Sequence, residues 1–377
     1  MRLGRRDRPR RGRCSGRGAR GGECEGRRMT EDVWSQRDTT PDAIDDALRL
    51  LLHERHAANR SLAPARVLNL IVVVDRDWKG EIANRLARVG RFHASRTILC
   101  AVQEGRSKLD ARAIMSYEEP HDGLGVIHEH VEIDLGPEHL DRLDTIVDPV
   151  VVSDLPTMLW SPHGHDRAVN ALLDLIDVML LDSDDVLEPA EGIARAIELL
   201  RFAYVVDLAW LRTTPWRERL AASFDPPGRL ESLGQLAGVS VRHRASSTAS
   251  ALLLAGWLCS RLRWDAAPLE PRTGGGLLGG ARRNGDRVEL ELELADQDMP
   301  GLAGVTVRGA NDFSLSLDRA LGGLCAREHA DGEEIVWQVL GASRGEGGIL
   351  GEGVRQALLR DPTYGPALVA AERLCPV

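Results

Sequence analysis

The clearest pattern in the chain is the run "RVLNLIVVV", from Arg66 to Val74. It is almost continuously apolar and rich in β-branched residues, as a strand buried on both faces must be. "KGEIANRLARVG" follows, with Ile82, Leu86 and Val89 at helical spacing and Gly90 as its stop. "SRTILCAVQ" (Ser95 to Gln103) is the next strand, so strand, helix and strand predict a parallel unit. "HEHVEIDLG" alternates instead, with Val131, Ile133 and Leu135 inward and Glu132 and Asp134 outward. Upstream, Thr40 caps a helix that has Pro41 at its first position and Ile44, Leu48 and Leu51 on one face.

Further along, "LPTMLWSP" predicts a short strand, "HDRAVNALLDLI" a helix and "DVMLLDS" a strand. A long helical region is expected from Pro189 to Ser223, interrupted near Pro215. "GVSVRHR" reads as a strand and "TASALLLAGWLCSRLRW" as an apolar helix. A glycine-rich linker is expected near 272–285. Beyond it "DRVELELEL", "GLAGVTVRG", "DFSLSLDR" and "EIVWQVL" alternate as antiparallel strands, and "GILGEGVRQALLR" is helical. The expected class is α/β: a mixed sheet flanked by helices, with a β-rich C-terminal part. The expected division is a tail over 1–30, an α/β domain over 31–165 and a second over 166–377.

Composition sharpens this picture at the N-terminus. Residues Met1 to Arg28 hold eleven Arg against Asp7, Glu23 and Glu25, a net of +8. The whole chain carries −9, which leaves −17 on the rest. The Arg/Gly segment has too few apolar residues to offset chain entropy, so disorder is expected there. Met29 opens "MTEDVWSQRDTT" and reads as an alternative start. An acidic body does not suit nucleic acid, and no apolar run approaches the ~20 residues that span a bilayer. The six cysteines are isolated in sequence, which predicts neither a disulfide nor a structural metal site and fits a reducing cytoplasm.

Candidate chemistry falls at strand ends, where open parallel sheets bind ligands. "DRDWKGE", "SPHGH" and "DSDD" put Asp75, Asp77, His163, His165, Asp182 and Asp184 there. These could face one crevice as an acid–base or metal site, or they could cap helices and coat a solvated loop. His163 and His165 are spaced to chelate, but the sequence marks no third ligand. No nucleotide-binding glycine motif and no nucleophile turn is present, so no cofactor is expected.

"DLAWLRTTPWRERLAASFDPP" (Asp207 to Pro227) holds two of the eight tryptophans. Tyr204, Leu208 and Leu211 share a predicted helix face. Trp216 with Arg212, Arg217 and Arg219 has the composition of an interface anchor, or of helix packing in which Arg stems cover indole rings.

Four long strings then carry a resemblance: "LNLIVVVDRDWKGEIANRLARVGRFHASRTILC", "VEIDLGPEHLDRLDTIVDPVVVSDLPTMLWSPHGH", "YVVDLAWLRTTPWRERLAASFDPP" and "LLLAGWLCSRLRW". Over Pro41 to Trp264 the chain resembles the OpcA family of glucose-6-phosphate dehydrogenase assembly proteins, in their actinobacterial form. The resemblance implies a non-catalytic partner of that dehydrogenase in the oxidative pentose phosphate pathway. Such a partner promotes the enzyme's oligomerisation and tunes its activity. Under it, Trp216, Arg217, Arg219 and Arg212 become candidate partner contacts. Cyanobacterial relatives are linked to redox-controlled cysteines, but none maps onto this chain. The alternative is an enzyme acting on a sugar phosphate through Asp75, His163 and Asp182.

Overall fold

The computed structural model describes residues 4–5, 29–58, 62–64, 66–89, 95–118, 125–227, 229–309, 312–340 and 345–376. The chain divides into two compact units, Met1–Val178 and Met179–Val377. Within the Arg/Gly-rich tail over 1–30, the described residues are Gly4–Arg5 and Met29–Thr30. Both pairs are extended, and the expectation of disorder falls for the rest on residues outside those described.

The strands of the first unit are β1 (Gly4–Arg5), β2 (Met29–Gln36), β3 (Leu62–Pro64), β4 (Leu68–Asp75), β5 (Ser95–Val102), β6 (Asp110–Glu118), β7 (Gly125–Leu135) and β8 (Thr157–Trp160). Its helices are α1 (Pro41–Ala58), α2 (Lys79–Val89), α3 (Leu143–Val147) and α4 (Asp166–Leu172). The strand order is β1-β2-β6-β7-β5-β4-β8, with β3 beside β7. Strands β7, β5, β4 and β8 are parallel, while β2 and β6 add an antiparallel edge.

The apolar run behaves as its composition requires. Ile71, Val72, Val73 and Val74 have no exposed surface, and each such side chain contributes ~1.5–3 kcal/mol by leaving water. Strand β7 turns Val131, Ile133 and Leu135 into the core, whereas Glu132 and Asp134 meet Lys79 Nζ at 3.0 and 2.8 Å on the other face. Thr40 Oγ1 accepts the Ala43 N–H at 3.4 Å, and Ile44, Leu48 and Leu51 of α1 are buried below it.

One polar residue interrupts β4. Asn69 is fully buried, yet its amide donates to the Val152 and Leu155 carbonyls and to Thr157 Oγ1, and its oxygen accepts the Val152 N–H. Every polar atom of the side chain is used, which offsets the cost of burying it. The network pins the segment entering β8 against β4 and so fixes where the loop after β8 emerges.

The second unit starts within β9 (Val178–Leu181) and continues through α5 (Pro189–Leu199), β10 (Tyr204–Asp207), α6 (Leu208–Ala222), α7 (Leu230–Leu233), β11 (Leu236–His243) and α8 (Thr248–Leu262). Strands β12 (Asp265–Ala266), β13 (Glu270–Pro271), β14 (Leu277–Arg283), β15 (Asp286–Leu294), β16 (Leu302–Gly309), β17 (Ser314–Ala320), β18 (Gly323–Ala330) and β19 (Glu333–Leu340) follow, then α9 (Gly345–Gln356) and α10 (Tyr364–Leu374). The sheet order is β12-β14-β15-β11-β16-β17-β18-β19, with β13 on β14. Strands β11 and β15 pair in parallel, and the remaining neighbours in this sheet pair antiparallel. Val288, Leu290, Leu292, Val305, Val307, Leu315 and Leu317 form its inner face, and α8 packs there with Ala251 to Ala255 fully buried.

Three expectations change here. The helical region from Pro189 to Ser223 is broken by strand β10, so Tyr204 does not share a helix with Leu208 and Leu211. Helix α6 runs through Pro215 without interruption. A mid-helix proline costs ~3 kcal/mol, but Leu208, Trp210, Leu211, Trp216 and Leu220 are all buried along this helix and outweigh it. The glycine-rich stretch near 272–285 is not a linker, because its second half is β14, paired along its length with β15. Asn284 and Gly285 close that hairpin with φ of +49° and +96°, the left-handed pair a two-residue turn demands.

Candidate functional site

Strands β4 and β8 are parallel neighbours, with Val72 opposite Trp160, so the chain leaves both at the same edge of the sheet. Asp75 is the last residue of β4. It heads a 3-10 turn over Arg76–Trp78, but its carboxylate makes no capping bond there. The loop after β8 is folded by Ser161, whose Oγ donates to the Gly164 carbonyl at 2.7 Å. Gly164 and His165 then take left-handed backbone, with φ of +85° and +49°. For a histidine that conformation is costly. Its effect is to turn both imidazoles toward Asp75.

His165 Nε2 lies 3.1 Å from Asp75 Oδ1, and His163 Nδ1 lies 3.8 Å from Oδ2 while accepting the Asp75 N–H at 3.2 Å. One donor atom from each of the three side chains falls within 4.8 Å of the others. His165 Nε2 is buried and, although near the carboxylate, is not aligned for a hydrogen bond to it. Burial holds the His165 pKa below its usual value; Asp75 pulls the other way and His163 adds to the lowering. The Trp78 ring stands 5.6 Å from the His163 ring, tilted by 45°. Asp77 is exposed on the 3-10 turn and does not join this group.

Asp182 and Asp184 belong to the second unit and are engaged within it. The Arg212 guanidinium forks onto both Asp182 oxygens at 2.8 and 2.7 Å. Asp184 accepts the Ser250 N–H at 3.0 Å and the Ser250 hydroxyl at 2.5 Å. Asp207, which the sequence pattern alone does not single out, accepts from Ser183 N–H and Oγ, from the Ala209 N–H and from the Tyr364 hydroxyl. Burial first, and the Asp182 charge second, push Asp184 to about 7 and Asp207 to about 6. A cavity of about 290 Å³ opens beside Asp184, between the Val186–Leu187 segment and the start of α8 at Thr248 and Ala249. These carboxylates tie β9, β10, α6, α8 and α10 together. Asp207 is the N-cap of α6, a place that becomes visible only once β10 is recognised as a strand.

The four candidate contact residues on α6 are mostly inside. Trp216 is 1% exposed, so Pro215 does not turn it outward. Arg212 is committed to Asp182. Arg217 lies over the Trp210 ring at 3.5 Å and reaches Thr213, Thr214 and Asp361. Burial lowers its pKa to about 10. Arg219 is the member of the four that is exposed.

Comparison with known proteins adds the following. Residues 203–368 match the family model described as the C-terminal domain of the glucose-6-phosphate dehydrogenase subunit. Residues 86–198 match the model described as its N-terminal domain. A putative OxPP cycle protein OpcA from Synechocystis is 26% identical over 172 residues, 44% of this chain and 36% of the relative. Its namesake from Synechococcus elongatus is 29% identical over 174 residues, 45% of this chain and 37% of the relative. The matches thus span about a third of those relatives' lengths. Among solved structures, a 3-ketoreductase from Actinomadura kijaniata in complex with NADP and TDP-benzene is similar at TM-score 0.46 and 10% identity, over 82% of this chain and 95% of that one. No helix among the described residues is long and apolar enough to cross a membrane.

Proposed function

We infer the role of this protein from one premise: the chain belongs to the OpcA family of glucose-6-phosphate dehydrogenase subunits. On that premise it is a non-catalytic subunit that binds the dehydrogenase, promotes its oligomeric assembly and tunes its rate in the oxidative pentose phosphate pathway, in the cytoplasm. The observation that carries the reading is the pair of matched domains, together covering 86–198 and 203–368. The use of side chains supports it. Asp182, Asp184 and Asp207, the strand-end carboxylates of the second unit, spend their oxygens on Arg212, Ser183, Ser250 and Tyr364. Groups tied in this way hold a fold together. Of the four candidate contacts on α6, Arg219 is the exposed one, and on this reading it meets the partner.

The test is steady-state kinetics of purified dehydrogenase with and without the chain, beside size-exclusion chromatography of the mixture. Co-elution and a changed velocity curve for glucose 6-phosphate are expected, with no turnover by the chain alone. Turnover of a sugar phosphate by the isolated chain, abolished by His163→Ala, would replace this reading with an enzyme built on the Asp75 group.

A further inference from the structure

We propose that Asp75, His163 and His165 form a binding site for one divalent transition-metal ion of the zinc class. The donor set is two imidazole nitrogens and one carboxylate oxygen. That combination suits Zn²⁺, Co²⁺ or Ni²⁺, whereas Mg²⁺ and Ca²⁺ prefer oxygen alone. Ligand atoms about 2.0–2.1 Å from a tetrahedral zinc stand roughly 3.3 Å apart. His165 Nε2 stands 3.1 Å from Asp75 Oδ1 and His163 Nδ1 3.8 Å from Oδ2, and one donor atom from each residue falls within 4.8 Å of the others, so small side-chain rotations would bring the set to that spacing.

The backbone supplies the preorganisation. Asp75 is anchored as the last residue of a strand whose other residues, Leu68 to Val74, are buried. The two histidines sit on a loop whose shape is set by the Ser161–Gly164 bond and by two successive left-handed residues. A histidine held at positive φ is a conformational cost, and such costs gather where geometry serves a site. Glycine would meet the same backbone requirement at residue 165 with less strain, so the imidazole is there for something other than the turn.

The electrostatics point the same way. The His165 side chain is 12% exposed, and its Nε2 faces the Asp75 carboxylate without an aligned hydrogen bond. Nearby side-chain cations are used elsewhere: Arg76 pairs with Asp134, and Lys79 with Glu132 and Asp134. His163 would exchange its bond to the Asp75 N–H for the ion, with Trp78 flanking the ring. The Asp75 side chain is 52% exposed, so the fourth position opens to solvent for water or a small anion.

The experiment uses the full chain, freed of metal by a chelator, titrated with Zn²⁺ in a calorimeter and with Co²⁺ under visible absorption. Native protein should take up one equivalent with a tetrahedral Co²⁺ spectrum that lacks thiolate bands, and its thermal midpoint should rise with Zn²⁺. Asp75→Asn and His165→Gly should each weaken binding tenfold or more, and both variants should melt near the native apo protein. The glycine suits the left-handed backbone, so His165→Gly also guards against misfolding. Absence of saturable uptake overturns the proposal. So does equal uptake by both variants, or a thiolate spectrum that assigns the ion to cysteines.

Discussion

Arg217 lies over Trp210, its guanidinium carbon 3.5 Å from the ring centroid, and the indole N–H of Trp210 donates to Asp361 at 2.9 Å. Asp361 also sits 3.5 Å from Arg217 Nη1. The two side chains and their shared carboxylate join α6 to the turn before α10. Arg217→Ala removes a largely desolvated cation–π contact and leaves Asp361 with one partner fewer. A loss of about 2 kcal/mol in urea unfolding at unchanged m is expected. A variant as stable as the native chain would show that the stack contributes nothing.

Trp216 and Arg219 should separate cleanly. Trp216→Ala empties a fully buried site and should cost ~3–5 kcal/mol of stability. Arg219→Ala should change stability by no more than ~0.5 kcal/mol and weaken association with the dehydrogenase in calorimetry. If Arg219→Ala binds as the native chain does, Arg219 takes no part in the partner surface.

The buried carboxylates set a pH dependence. Asp184 and Asp207, raised to about 7 and about 6, bind protons in the folded chain that the unfolded chain has already released. Their contribution is complete below the unfolded value of about 3.9 and is lost as pH rises through about 6 to 7. His165 and His243 are lowered by burial and act in the opposite sense, but they are present in both native chain and variant. Asp184→Asn should therefore gain stability relative to the native chain as pH rises from about 5 to 8. A constant difference across that range would contradict the raised value.

Thiol reactivity offers a further check. Burial pushes Cys100 and Cys259 up to about 12 and Cys375 to about 11, while Cys325 is only half-buried. Peptide mass spectrometry after brief alkylation of the native chain should find Cys325 labelled first among these four. Fast labelling of Cys100 would mean that the β5 core opens.

Much of the fold is readable from residue type because burial and alternation leave direct marks. The β4 run and the inward Val131, Ile133 and Leu135 follow from it alone. Strand β10 does not, because a run as short as Tyr204 to Asp207 between two helices fits either period. Pro215 misleads because a local steric rule is overridden by the burial of Trp210 and Trp216. Asp75, His163 and His165 are all visible as strand-end residues. What the sequence could not supply is that Asp75 meets the histidines while Asp182 is held by Arg212. That depends on which strands are neighbours, a property of topology and not of spacing.

The position of β11 in its sheet bears on how the protein is made. This strand lies between β15 and β16, both of which follow it in the chain. During synthesis Leu236–His243 therefore leaves the ribosome with two open hydrogen-bonding edges and no sheet partner. Helix α8, encoded directly after it, can cover Val239 and Val241 at once, but the edges wait for the rest of the sheet. An unpaired edge that waits invites pairing with other chains. Slowing translation after β11 has emerged and before β15 and β16 have done so should thus raise the share of nascent chains that aggregate, whereas a pause once both have emerged should leave it unchanged.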